Sequence, residues 1–172
     1  MSTSPRTLLL VRHSKADRPD DVPDHDRPLT GRGRRDAAAL GRWLAGQRLV
    51  PDLVLCSGAT RATQTWEHAA AALGRDVEAR STDELYDASA EAVVNLCAQT
   101  SADVRVLAVV GHEPTMSTVA AALAGPGSDQ ALLAHVRAHL PTSGVVVLEL
   151  DGDWDDLAGG TCRLTGLAAP RG

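Results

Sequence analysis

Phenylalanine is absent from this 172-residue chain, tyrosine occurs once and tryptophan three times. A core without aromatic bulk has to be assembled from Leu, Val and Ala. A hydrophobic share of 44% at this length is enough for one domain with a sizeable core, spanning residues 1–172. Lysine is almost missing as well, since all of the 17 basic residues except Lys15 are arginine. That bias reads as the nucleotide composition of a GC-rich genome. Cysteine is scarce: Cys56, Cys97 and Cys162 are odd in number, widely spaced and without a CxxC pair. This fits reduced thiols in a cytosol better than a disulfide framework or a zinc site. Long apolar runs are lacking too. The first, Thr7–Val11, is followed at once by Arg12 and His13, and is too short for a signal-peptide core or a membrane span. The chain therefore reads as cytoplasmic with no membrane partner. Positive charge is in deficit, the net value being −5, which argues against a general nucleic-acid or anionic-membrane binder. Any cationic site has to be local.

What the chain does have is a recurring junction. Thr7–Val11 runs into Arg12-His13, Leu53–Cys56 into Ser57 with Arg61 shortly after, and Val106–Val110 into Gly111-His112-Glu113-Pro114. Each is a short strand of buried type followed directly by a polar turn. Strands are expected at 7–11, 52–56, 77–80, 105–110, 145–150 and 162–168. Between them, Thr30 reads as the N-cap of a helix with Ala37, Leu40, Trp43 and Leu44 at helical spacing, ending near Gly46. Further helices are expected at 59–73, closed by Gly74, at 88–99, and from Pro114 to Gly125. Residues 125–144 read as loop or weak helix, and 14–28 as a polar loop. Alternating strands and helices imply α/β architecture: a single-domain, three-layer sandwich with a mixed, mostly parallel sheet. Parallel sheets gather ligands at the carboxyl ends of their strands, so the three junctions can share one pocket.

Two imidazoles and two guanidinium groups in one pocket suit a phosphoryl group. Phosphoryl transfer needs an in-line nucleophile and donors around the equatorial oxygens. His13 is the candidate nucleophile, kept neutral by neighbouring guanidinium groups that oppose its protonation. Arg12 and Arg61 offer planar forks for phosphate oxygens, and Arg61 sits in the first turn of its helix, where the dipole also attracts an anion. His112 can donate to the phosphoryl oxygens as charge builds. His25, His68, His135 and His139 have no comparable setting and read as surface or core filler. A His13–His112 metal pair lacks a third ligand at a familiar spacing, and adjacent Arg repels a cation, so neither metal nor cofactor is expected.

Leu10-Val11-Arg12-His13, Leu29-Thr30 with Gly33, Ser57 with Arg61-Ala62 and Thr65, and Gly111-His112 resemble, in order, the histidine phosphatase superfamily, which includes the cofactor-dependent phosphoglycerate mutases. The resemblance implies the phosphoglycerate mutase-like fold, His13 as the phosphorylated residue, and Arg12, Arg61 and His112 as the rest of the phosphate pocket. Arg12–Asp17, Asp26–Leu29 and Gly111–Pro114 are most similar to the short SixA-type phosphohistidine phosphatases. Position 14 carries Ser where the superfamily most often has Gly, and its hydroxyl is expected to add a phosphate contact. Mutases and sugar phosphatases of the family use a Glu as proton donor. Here Glu84 is taken as the acid with Asp87 as the other candidate, and either can instead be a surface carboxylate. Glu113 suits a helix N-terminal charge better. The stretch from Leu73 to Val106 leaves little room for a capping insertion, and an open pocket with a weak acid favours leaving groups that depart from nitrogen.

These readings converge on a metal-independent phosphatase with a covalent phospho-His13 intermediate, acting on phosphohistidine in proteins. Two rivals stand beside it: a small-molecule phosphomonoesterase acting on a sugar phosphate or nucleotide, and a phosphate-recognition module without turnover. The expected partner is a phosphoprotein or small phosphorylated substrate, and the oligomeric state is open, a monomer included.

Overall fold

The computed structural model describes residues 4–172. Strand β1 (Arg6–Arg12) is apolar on both of its faces, and Leu8, Leu9, Leu10 and Val11 are almost wholly removed from water. Such a strand has to lie inside a sheet that is covered on both sides. It pairs in parallel with β4 (Val106–Gly111) and antiparallel with β5 (Val145–Leu150). Beyond β4 come β2 (Leu53–Ser57) and the exposed edge strand β3 (Glu78–Thr82), both parallel to it, and beyond β5 comes β6 (Cys162–Ala168). The order across the sheet is β3-β2-β4-β1-β5-β6, and β5 alone runs against the rest. All six strands fall where the sequence places them, to within two residues at each end.

Side chains alternate along β1, so Leu8 and Leu10 enter one apolar cluster while Leu9 and Val11 enter another. The Leu9 face is covered by α1 (Gly31–Gln47) and α2 (Thr60–Leu73), through Leu40, Leu44, Trp66 and Ala69. The Leu8 face is covered by α3 (Ala90–Ala98), α4 (Thr115–Leu123) and α5 (Gln130–Ala138), through Val93, Val119 and Val136. This is the expected three-layer α/β sandwich. Thr30 caps α1 by accepting from the Gly33 N–H at 2.9 Å, and Gly74 closes α2 in the left-handed conformation, as the sequence predicts.

One element departs from expectation. Within 125–144, α5 is a regular helix started by Asp129, whose carboxylate accepts from the N–H groups of Ala131 and Leu132. Leu133 and Val136 form its buried stripe, and Leu140 is buried just past its end. The pattern is hard to read because only a narrow stripe is apolar while Gln130, Ala131, Ala134 and His135 stay exposed.

Strand direction and one close approach set the edge at which β1 ends. Because β1, β2 and β4 are parallel, their carboxyl ends open on one edge, and because β5 is reversed, its beginning arrives at that same edge. There the Arg12 N–H donates to the Gly144 carbonyl and the Ser143 N–H to the His13 carbonyl. A Cβ at Gly33 would lie 2.1 Å from the Lys15 carbonyl oxygen, so only glycine lets the start of α1 press on the chain leaving β1.

Candidate active site

The last residue of β1, Arg12, and the residue after it, His13, stand at the floor of a cleft of about 420 Å³. Arg61 from the first turn of α2 and His112 from the turn after β4 line the same cleft, together with Lys15, Arg18, Asp24, Arg27, Tyr86, Asp87 and Glu113. The fold therefore brings together four of the predicted side chains from three strand ends. The His13 and His112 rings lie 5.2 Å apart, centroid to centroid.

The His13 ring has its tautomer set by the backbone. Nδ1 lies 2.7 Å from the Ser14 carbonyl oxygen, which can only accept, so Nδ1 carries the proton and Nε2 keeps a free lone pair. Burial pushes its pKa down to about 3, and His112, Arg61 and Arg12 push in the same direction while the Ser14 bond opposes them. His112 falls to about 4, again through burial first and Arg61 next. Its Nε2 lies 2.8 Å from the hydroxyl of Ser57, the last residue of β2. Both rings are thus neutral near pH 7, and Nε2 of His13 keeps its lone pair.

The two guanidinium groups are anchored differently. Arg12 donates through Nη1 to the Leu140 carbonyl at 2.9 Å, while its Nε is buried with no hydrogen-bond partner. A buried, unpaired cationic donor is costly unless an anion completes it. Arg61, 7% exposed, donates from Nη1 to the Asp24 carbonyl at 2.7 Å and from Nη2 to the Asp24 carboxylate at 3.1 Å. The short 3-10 turn Asp24–Asp26 thereby closes over α2. Asp24 also accepts from the Tyr86 hydroxyl and, at 2.9 Å, from Arg27. The Tyr86 bond, Arg27 and Arg61 hold its carboxyl well below the usual carboxylate range.

Sequence reasoning missed this second tier of residues. Asp24 is one of several aspartates in a polar loop, Tyr86 and Arg27 lie far apart in the chain, and only the fold assembles them. His25 lies at the surface, as expected, where it packs edge-on against Tyr86 at 4.9 Å and pairs with Asp83 at 2.9 Å, while Tyr86 stands edge-on to His112 at 5.7 Å. His135 and His139 are on the surface as expected.

Two predicted site residues lie elsewhere. Ser14 is fully buried, and its hydroxyl pairs with that of Ser143. Its N–H donates to Thr65 Oγ1, which itself donates to the Arg61 carbonyl, so Ser14 braces the turn rather than touching a phosphate. Glu84 follows Asp83 in the 3-10 turn Asp83–Leu85 and lines a separate depression with Leu53, Leu55 and Arg80, because that turn directs it away from His13. Of the carboxylates considered from sequence, Asp87 and Glu113 line the cleft. Glu113 accepts from the N–H and hydroxyl of Ser117 in the first turn of α4, the helix-end role expected of it. No cluster of three His, Cys, Asp or Glu side chains among the described residues is arranged to hold a metal ion.

A neutral ring nitrogen with a free lone pair, two guanidinium groups and a second imidazole around one cleft can take a tetrahedral dianion and accept its phosphorus. Comparison with known proteins gives the same answer. The family model of the histidine phosphatase superfamily (branch 1) matches residues 8–96. An uncharacterised protein of Mycobacterium tuberculosis is 42% identical, covering 94% of this chain and 100% of its own. Among solved structures, a candidate phosphohistidine phosphatase SixA from Nakamurella multipartitia superposes with a TM-score of 0.87 at 34% identity, covering 99% of each chain. The protein histidine phosphatase SixA complexed with tungstate superposes at 0.77 with 26% identity, covering 95% of this chain and 97% of its own. Family match, fold and likeness agree: this chain belongs to the histidine phosphatase superfamily, is SixA-like with the phosphoglycerate mutase-like α/β fold, and is a phosphatase.

Proposed function

We propose that the protein removes phosphoryl groups from phosphohistidine in proteins, through a covalent intermediate on His13. The observation that carries the reading is the Nδ1 bond to the Ser14 carbonyl, which leaves Nε2 of a neutral ring as the attacking atom. In the first step Nε2 forms a bond to phosphorus, and the pair of the breaking bond goes to the leaving group. In the second, water bonds to phosphorus, the pair of the P–N bond returns to Nε2, and the proton given up by the water leaves with the phosphate or passes to solvent. Arg12 and Arg61 hold equatorial oxygens with paired N–H groups, and His112 supports the charge that develops on them.

The acids of the cleft bear on the substrate class. Asp24 is held ionised by Tyr86, Arg27 and Arg61, Glu113 is tied to Ser117, and Glu84 lies outside the cleft. No carboxylic acid is braced beside His13, among the described residues, to protonate an alkoxide, which an alkyl phosphate needs. An imidazole that already carries a proton on its distal nitrogen leaves without that help. The cleft rim is also open, with Lys15, Arg18, Asp24 and Asp87 exposed around it, as access to a residue on another protein requires. The likeness to SixA proteins supports the same class. A second reading, a small-molecule phosphomonoesterase, draws on Asp87, which faces the cleft near His112 and has no hydrogen bond among the described residues.

A panel of phosphohistidine proteins, phosphoserine peptides and sugar phosphates compared by kcat/KM tests the assignment. Phosphohistidine is expected to lead by roughly tenfold or more. A sugar phosphate in first place, with Asp87→Asn abolishing its turnover, transfers the assignment to the second reading.

A further inference from the structure

The carboxylate of Asp24 is an odd group to find in a phosphate pocket, since it repels the ligand the pocket takes. It is nevertheless the best-fixed carboxylate of the cleft, with donors from three parts of the chain: Arg27 on its own loop, Arg61 on α2, and Tyr86 after the 3-10 turn Asp83–Leu85. Its side chain remains 56% exposed, toward the cleft rim and not into the core. The Tyr86 ring beside it continues into an aromatic wall formed by His25 and His112. An ionised acceptor at the edge of an aromatic surface, one residue shell outside the phosphoryl position, is a site for a flat ring bearing an N–H.

We propose that Asp24 and Tyr86 form the leaving-group subsite, in which the Asp24 carboxylate accepts the ring N–H of the substrate's phosphohistidine and Tyr86 packs against that ring. The proposal rests on the phosphohistidine reading above and assigns it a specificity residue. A phosphohistidine ring that is protonated at the nitrogen distal to phosphorus leaves as neutral imidazole: the His13 Nε2–P bond forms, the substrate P–N bond breaks, and its pair stays on the departing nitrogen. Without the distal proton the ring would have to leave as an imidazolate anion. A carboxylate facing that N–H holds the proton on the ring to higher pH. His13 carries the mirror image of this arrangement, its own distal N–H being held by the Ser14 carbonyl. The other charged and titratable groups around Asp24 are Arg27, Arg61, His25, Asp26 and Asp83, with His112 and Asp87 across the cleft.

The test compares Asp24→Asn and Asp24→Glu with the unmodified enzyme on a phosphohistidine protein and on p-nitrophenyl phosphate, whose phenolate leaves unprotonated. The pH profiles of kcat/KM are read for each, with circular dichroism confirming folded protein. For Asp24→Asn, the ratio of phosphohistidine to aryl phosphate turnover is expected to fall roughly tenfold or more. The alkaline limb for phosphohistidine should move to lower pH while the aryl profile keeps its shape. Asp24→Glu, which keeps the charge, should recover most of the ratio. Equal losses on both substrates with unmoved profiles overturn the subsite and reduce Asp24 to an orienting partner of Arg61. Absence of phosphohistidine turnover in the unmodified enzyme fails the parent reading instead.

Discussion

His13 is held by its own neighbour, and this fixes what it does at each pH. Because its pKa is pushed down to about 3 and that of His112 to about 4, neither ring should titrate between pH 8 and 5. His25 lies on the other side of the ordinary value, raised by its bond to Asp83 and then Asp26. Proton–carbon NMR of the imidazole resonances should therefore show His25 titrating above the usual range while the two cleft rings stay flat. A midpoint near 6.5 for His13 would place it in water and not under the Arg61 turn. His13→Ala should abolish turnover without loss of fold. Arg61→Lys keeps the charge but loses the fork that donates twice to Asp24 and is proposed to hold a phosphate, and kcat/KM should drop by roughly 10²-fold. Ser14 behaves differently from both. Its hydroxyl faces Ser143 in the dry interior, so Ser14→Ala should leave KM for aryl phosphate close to normal. It should cost about 1–3 kcal/mol of stability by leaving the Ser143 hydroxyl unpaired, as denaturant titration would show.

At the level of elements, α1 and α2 are set by glycine. A Cβ at Gly41 would come within 2.0 Å of the Ala69 carbonyl oxygen, so the two helices approach backbone to backbone there. Gly41→Ala must push them apart, and a loss of about 1–3 kcal/mol in urea unfolding is expected with modest change in kcat. Gly33→Ala, pressing on Lys15, should lower kcat as well, because the displaced segment carries the Ser14 carbonyl that orients His13. Why the strands were legible is clear from these same elements. Leu8–Val11, Leu53–Cys56 and Leu107–Val110 are buried on both faces, and a continuous apolar run followed by a polar turn has few alternatives. The junction residues Arg12, His13, Arg61 and His112 were legible for the same reason, each being tied to a strand end. Asp24, Arg27 and Tyr86 were not, because loops 14–28 and 83–88 carry no periodicity and meet only through the fold. Ser14 was misread because residue type predicts a hydroxyl but not the direction in which a turn points it.

Across the whole molecule, two neutral imidazoles kept in a partly dry cleft make stability depend on pH. Their folded pKa values lie below the unfolded value of about 6.5. The unfolded chain therefore binds more protons through that interval, and stability rises with pH across it. The contribution is complete above about pH 6.5 and is lost progressively as pH falls toward about 4 and then 3. Melting temperatures should drop between pH 7.5 and 5, and the drop should shrink in a variant with His13 and His112 both replaced. The three thiols are buried, and burial lifts Cys56 and Cys97 to about 12 and Cys162 to about 11. Native protein should react with an alkylating reagent only as fast as it opens. The shared direction of β1, β2 and β4, finally, divides the surface into a working rim and an idle one. The exposed turn Gly74-Arg75-Asp76 joins the end of α2 to the start of β3 on the idle rim, across the sheet from His13. Lineages and protein engineers alike are free to write there: a flexible insert between Arg75 and Asp76 should leave kcat/KM intact, whereas the same insert at Pro19-Asp20 should rewrite substrate choice.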